Sequence, residues 1–219
     1  MRGGIPPRLL ELGDAALTLE LGAGIDSATS ARVMAARDAI DAARLAGVID
    51  LVPTYRSLTV HFDPLVTNRA ALSAALLAAA NTQQKSALAG RHFEIPVRFG
   101  DDDGPDLAEV AATVGRGADE IVDTLCGLEL HVYLIGFLPG FPYMGDLPEW
   151  LRLPRRATPR TAVPANSVAI AGPQAAVYPW ISPGGWHLLG RTTVQMFDAT
   201  NTERPALLAP GDTVRFIRV

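Results

Sequence analysis

The stretch "PRRATPR" (residues 154–160) puts three guanidinium groups, Arg155, Arg156 and Arg160, within seven positions, with Arg152 just upstream. A guanidinium is a planar, permanently charged fork whose parallel N–H donors match a carboxylate or a phosphate. If one or two of these side chains face inward, with Pro154 and Pro159 limiting the backbone, the stretch is an anion receptor. If they face water, it is a solvated basic loop. Arg191, directly after Gly190, is a further candidate, and Arg155, Arg160 and Arg191 are the arginines assigned to substrate or other anions. In "VPANSVAIAG" (163–172), Ser167 stands at a loop-to-strand junction. The nucleophile-elbow pattern G-x-S-x-G is missing and no His lies at a diagnostic offset, although His187 could meet Ser167 in space. Ser167 is expected to cap a turn or to donate a hydrogen bond to a ligand.

Two further stretches share one design. "GFLPGFPYMG" (136–145) and "YPWISPGGWHLLGRT" (178–192) interleave aromatics with Gly and Pro. That composition suits neither a helix nor an unbroken strand. Glycine lets backbone approach a ligand closely, proline fixes φ in advance, and a loop with little freedom left to lose binds more cheaply. Gly140, Gly184 and Gly185 are the expected points of close approach. Phe141, Tyr143, Tyr178, Trp186 and His187 are the expected lining. The alternative is a tight surface loop whose Phe137, Phe141 and Tyr143 only cap a core. No catalytic residue is assigned.

Other chemistries find little support. Lys85 is the only lysine among nineteen Lys and Arg residues, and it lies in the polar "NTQQKSALAG" with nothing to desolvate it. A Schiff-base lysine is therefore not expected, and the Walker-A pattern is absent. "DDDGPD" (101–106) fails the calcium-loop spacing and reads as an acidic turn and helix cap. Nothing resembles H-E-x-x-H or a paired-Cys site, so no metal site of its own is expected; His61, His92 and His131 fall on strands. The net charge of −4 does not favour nucleic acid. No apolar run reaches the ~18 residues that suggest a membrane span. The first residues lack the apolar stretch of a secretory signal, and the single Cys126 fits a reducing compartment. A cytoplasmic location is the resulting expectation.

The elements that must position these groups are legible in outline. Residues 14–22 alternate like a half-buried strand. Asp26 or Ser27 caps a helix that stops near Gly47. "VIDLV" (48–52) and "LTVHF" (58–62) are two strands that "PTYRS" can close into a hairpin. Asp63 caps a second helix with Pro64 at its first position, running to about residue 80. A strand at 92–100 completes a β-α-β-β-α-β order, the split ferredoxin-like arrangement. Two short helices follow, "DLAEVAATVG" and "ADEIVDTLCG". From about residue 129 the texture changes, with nine of the seventeen prolines between Gly136 and Gly190. Short apolar pieces ("LHVYLI", "SVAIAG", "AAVYPW", "TTVQMF", "TVRFIRV") alternate with turns, as in a small closed barrel. The expected class is α+β: a ferredoxin-like lobe at 1–90, then a β-barrel domain at 91–219 with two short helices at its start.

Taken together, these stretches and the closing "PGDTVRFIRV" resemble the KipI family, the B subunits of 5-oxoprolinase, called allophanate hydrolase subunit 1 in older naming. "LGDAALTLELG", "VPTYRSLTVHFDP" and "EIPVRFG" agree with it too. The resemblance implies a cyclophilin-like C-terminal barrel and similarity to part of the carboxyltransferase region of urea carboxylases. It implies a KipA-like companion, the 5-oxoprolinase C subunit (allophanate hydrolase subunit 2). With a third component, the 5-oxoprolinase A subunit, such proteins open 5-oxo-L-proline to L-glutamate at the expense of ATP, with Mg2+ expected in the complex. One relative instead inhibits a sporulation histidine kinase, so a non-catalytic kinase inhibitor is the alternative. A component of an enzyme for another amide, or a prolyl isomerase by fold analogy, completes the set. Three positions depart from the family pattern. Leu125 stands where a His is usual, and Asn166 replaces the Gly of P-A-G-S, Asn being next best for a left-handed turn. His187 stands where Gln is common. Phosphorylating a lactam carbonyl needs donors for anionic oxygens, which the arginines and Gly-rich loops would supply at a site shared with the companion.

Overall fold

The computed structural model describes residues 6–81 and 90–219; Lys85 lies outside them. The chain separates into two compact units, residues 1–89 and 90–219.

The first unit contains β1 (Arg8–Glu11), β2 (Ala16–Glu20), α1 (Ser27–Ala43), β3 (Val48–Pro53), β4 (Ser57–Phe62) and α2 (Arg69–Ala80). Its sheet runs β1-β2-β4-β3, with every neighbouring pair antiparallel. Asp26 opens α1, its carboxylate accepting the Thr29 N–H at 2.8 Å. Strict alternation in β4 buries Leu58, Val60 and Phe62 beside Leu17 and Leu19 of β2. Val33, Ile40, Leu72 and Leu76 of the helices cover that face.

Two expectations change here. The β-α-β-β-α-β order is not found: the lobe is β-β-α-β-β-α. The strand His92–Phe99 pairs within the second unit, while "RLLE" supplies an edge strand next to β2. The second helix begins at Arg69 under Asn68, whose side chain accepts the Ala71 N–H at 2.8 Å. Asp63 instead holds a turn, taking the Leu65 N–H on its carboxylate and the Val66 and Thr67 N–H groups on its carbonyl.

The second unit begins with β5 (His92–Phe99), α3 (Leu107–Val114) and α4 (Ala118–Gly127). There follow β6 (Leu130–Ile135), β7 (Pro142–Gly145), a 3-10 turn (Glu149–Leu151), β8 (Arg160–Val163) and β9 (Ser167–Ala171). The remaining strands are β10 (Gln174–Val177), β11 (Ser182–Gly184), β12 (His187–Arg191) and β13 (Thr213–Arg218). Seven of them close a barrel in the order β10-β7-β6-β13-β5-β12-β9, and β9 pairs with β10 to complete the ring. β8 and β11 form a separate two-stranded ribbon. The expected strand at "TTVQMF" is not formed. Its Thr192 hydroxyl accepts the Val194 N–H in a local turn, and only Phe197 makes a bridge, to Ala206.

Strands β9 and β10 are buried on both faces. Val168, Ile170, Ala175 and Val177 point into the barrel, where they meet Val97, Leu130, Val132, Leu189 and Phe216. Alternation sends Ala169, Ala171 and Ala176 outward, and Tyr178 just beyond β10 joins them. This second, outer layer carries the candidate site. Among the described residues no helix is long and apolar enough to cross a membrane.

Candidate functional site

The two Gly/Pro-rich loops meet on the outer face of the barrel. Phe141 sits at their centre, edge-on to Phe137, Tyr143, Tyr178 and Trp186 at centroid distances of 5.4, 4.9, 5.1 and 5.8 Å. This T-shaped geometry is the favoured one for aromatic quadrupoles. The small side chains of Ala169, Ala171 and Ala176 leave the room that the rings occupy. Phe141, Tyr178 and Trp186 are buried and Tyr143 is half-buried, whereas Phe137 is 59% exposed. Phe137 also holds φ at +69°, an uncommon conformation for a bulky residue that its loop must enforce.

Close backbone approach occurs at two of the three expected glycines, and the protein itself makes it. Gly140 has φ +79°, and a Cβ there would meet the Phe197 Cβ at 2.8 Å and the Met196 carbonyl at 2.9 Å. A Cβ on Gly184 would collide with the Tyr178 hydroxyl. Gly185 has ordinary contacts, the Pro159 ring lying 3.6 Å from where its Cβ would be. Burial, then the nearby Tyr143, pushes the Tyr178 phenol up to about 12. The charges of Arg155 and Arg160 and the Trp186 N–H, which Tyr178 accepts, oppose that rise. Burial also pushes up the Tyr143 phenol, with Arg155 holding it back.

Ser167 is a turn residue. It is 1% exposed and its Oγ donates to the Pro164 carbonyl at 2.8 Å. Asn166 beside it takes φ +64°, the left-handed conformation expected of this Asn. Leu125 is fully buried on α4 in the barrel core, a packing position far from any proton-transfer role.

The arginines divide sharply. Arg160 grips Asp106 with both terminal nitrogens, Nη1 to Oδ2 at 2.9 Å and Nη2 to Oδ1 at 2.6 Å. Arg156 Nη1 donates to the same Asp106 at 3.1 Å and to Glu109 at 3.0 Å. The Leu188 N–H supplies a further donor at 2.7 Å. The Asp106 side chain is only 4% exposed. Burial pushes its carboxyl up, but the Arg160 hydrogen bonds, the Leu188 N–H and the charges of Arg160 and Arg156 together hold it below the usual range. Two carboxylates thus neutralise two guanidinium groups. Arg191 Nε lies 3.4 Å from Asp103, which also takes Arg98 Nε at 2.7 Å. Asp106 went unmarked in the sequence because it reads as the end of an acidic turn. The available signal was that an arginine cluster folded inward requires a counter-charge.

Arg155 differs from its neighbours. It is exposed, and no carboxylate lies within ion-pair distance of it among the described residues. Its backbone is tied on both sides: His187 Nε2 donates to the Pro154 carbonyl at 3.0 Å, and the Arg156 N–H donates to the Gly185 carbonyl at 2.7 Å. Arg155 and His187 line a cleft of about 440 Å³ with Val110, Thr113, Leu153 and Arg156. Among the described residues, no three His, Cys, Asp or Glu side chains gather in a way that could hold a metal ion.

A family model described as carboxyltransferase domain, subdomain C and D, matches residues 7–208, which defines the class of protein. Within it, the B subunit of 5-oxoprolinase from Escherichia coli O157:H7 is 40% identical over 211 residues, covering 94% of this chain and 93% of that one. The same-named protein of Haemophilus influenzae is 44% identical over 176 residues, covering 78% and 79%. The chain belongs to the family of 5-oxoprolinase B subunits. The crystal structure of TTHA0988 superposes with a TM-score of 0.83 at 39% identity. That match covers 93% of this chain, which spans only 40% of the TTHA0988 chain. The Kluyveromyces lactis urea amidolyase, at 21% identity and a TM-score of 0.82, covers all of this chain and shares its fold.

Proposed function

We propose that the chain is the B subunit of a cytoplasmic ATP-dependent 5-oxoprolinase, which opens 5-oxo-L-proline to L-glutamate together with a KipA-like C subunit plus an A subunit. The observation that carries this reading is the 34–44% identity, over most of the chain, to proteins named as the B subunit of 5-oxoprolinase.

Opening an unstrained lactam requires loss of amide resonance, so the carbonyl oxygen must be turned into a leaving group before water attacks. ATP with Mg2+ supplies that activation in the complex. The residues of this chain do not fit it: Arg156 and Arg160 are neutralised by Asp106 and Glu109, and no metal-holding cluster gathers among the described residues. No step of phosphoryl transfer is therefore assigned to this chain. Its own part is to bind and orient. The rings of Phe137 and Tyr143 offer apolar surface, Arg155 is a guanidinium with no carboxylate partner among the described residues, and the loops that carry them have little freedom left to lose. The catalytic groups then come from the companion at a shared site.

Glutamate release from 5-oxoproline and ATP tests this, comparing the chain alone, the chain with its KipA-like companion, and the full set of three proteins. Release only in the full mixture is the expected result. No release from an assembled three-protein complex defeats the reading.

A further inference from the structure

Resting on that reading, we propose that Arg155 receives the substrate carboxylate and that His187 and Arg156 are the positioning residues that aim it. Three arginines were open to an anion from the sequence. Arg160 is bidentate on a buried Asp106, and Arg191 is engaged with Asp103. A ligand at Arg160 would have to displace a protein carboxylate, and one at Arg191 would have to share the guanidinium with Asp103. Arg155 asks for no such exchange.

Its environment is built around it. The carbonyl before it and the N–H after it are both hydrogen-bonded to the segment 185–187. Arg156 is anchored further by its own side chain on Asp106 and Glu109. The guanidinium therefore stands on a fixed backbone, and less entropy is lost on binding. His187 Nδ1 is enclosed without a hydrogen-bond partner, and Nε2 is the ring atom that holds the Pro154 carbonyl. A Gln amide can donate the same bond, so Gln is the conservative replacement for His187.

The lining suits a small cyclic amide bearing one carboxylate. Leu153 and Pro154 offer apolar surface for ring methylenes, and Thr113 and Thr158 offer hydroxyls at the same cleft. The Arg155 charge also acts on Tyr143 and Tyr178, which places it where the cleft meets the aromatic layer.

The test is calorimetric titration of 5-oxo-L-proline and of 2-pyrrolidinone, the same lactam without its carboxylate, into the assembled complex. Arg155→Ala should weaken 5-oxoproline binding by about ten- to a hundredfold, the range for a hydrogen bond to a charged group. Affinity for 2-pyrrolidinone should stay unchanged. His187→Leu should show a smaller loss of the same selective kind, restored by His187→Gln. Equal losses on both compounds, or none on either, overturn the assignment. A wild-type complex that prefers 5-oxoproline through Arg155 but releases no glutamate leaves the assignment standing and removes the proposed reaction. A complex that binds neither compound removes both.

Discussion

On β9 and β10, one side of the backbone faces an aliphatic core and the other faces rings and paired charges. Inside, Val168, Ile170 and Val177 meet Leu130, Val132, Leu189 and Phe216. Burial of this kind is non-directional and tolerates substitutions that conserve volume. Outside, alanines recede and Phe141, Tyr178 and Trp186 fill the space above them. The polar cluster around Asp106 adjoins this layer through Leu188, whose side chain packs among the rings while its N–H bonds the carboxylate. The outer layer is thus held by directed contacts. The contrast shows one strand packing an aliphatic core on one face and setting the geometry of the candidate site on the other.

Asp106→Ala should break the comparison most strongly. It leaves Arg160, Arg156 and the Leu188 N–H without their acceptor, and breaking a buried pair costs about 3–5 kcal/mol. Denaturant midpoints of the purified chain check this. A loss below about 1 kcal/mol, the scale of an exposed ion pair, would mean that the arginine cluster is solvated decoration. The same carboxylate sets a pH dependence. Its folded pKa lies below the ordinary value of 3.8, so its contribution is complete above that value and is lost as pH falls through the lowered one. Asp106→Asn should flatten that acid limb.

Ile170→Ala should cost about 2–5 kcal/mol by emptying the inner core. Where the complex stays folded, its KM for 5-oxoproline should not move. A changed KM would show that the two faces are coupled. Tyr178→Phe is a milder change, removing the acceptor of the Trp186 N–H for about 1 kcal/mol. In an alkaline absorbance titration, the tyrosine that ionises at about 12 should disappear in that variant. The smallest effect belongs to Asn166. Asn166→Gly should be almost neutral, whereas Asn166→Ala should cost about 1 kcal/mol for the left-handed backbone. Thermal melts distinguish the two.

The barrel was legible because turn chemistry is local: Gly, Pro and alternating apolar pieces announce short strands wherever they occur. Strand partners are not local. His92–Phe99 reads correctly as a strand, yet nothing in it says that it pairs with β13 and β12 rather than with the first lobe. The edge strand "RLLE" was missed because it is short and largely exposed, although the Gly13-Asp14 turn between it and "ALTLE" is a hairpin signal. The aromatic loops are visible in the sequence, and so is the likeness of design that brings their rings together. The reversal came with the glycines and arginines, where residue type signals capacity and only the fold decides who uses it. Gly140 and Gly184 admit the protein's own atoms, and Arg160 serves Asp106.

The ring of strands carries one more consequence, for how the barrel comes to exist. β13 is seated between β5 and β6, and its Thr213 meets His92 across a sequence separation of 121 residues. During synthesis, β5 and β6 must wait with open edges until the last strand emerges. Closure of so distant a pair is slow relative to hairpin formation, and waiting edges are where chains pair with one another. Until that step seals the barrel, the unpaired edges of β5 and β6 leave a nascent chain open to pairing with another.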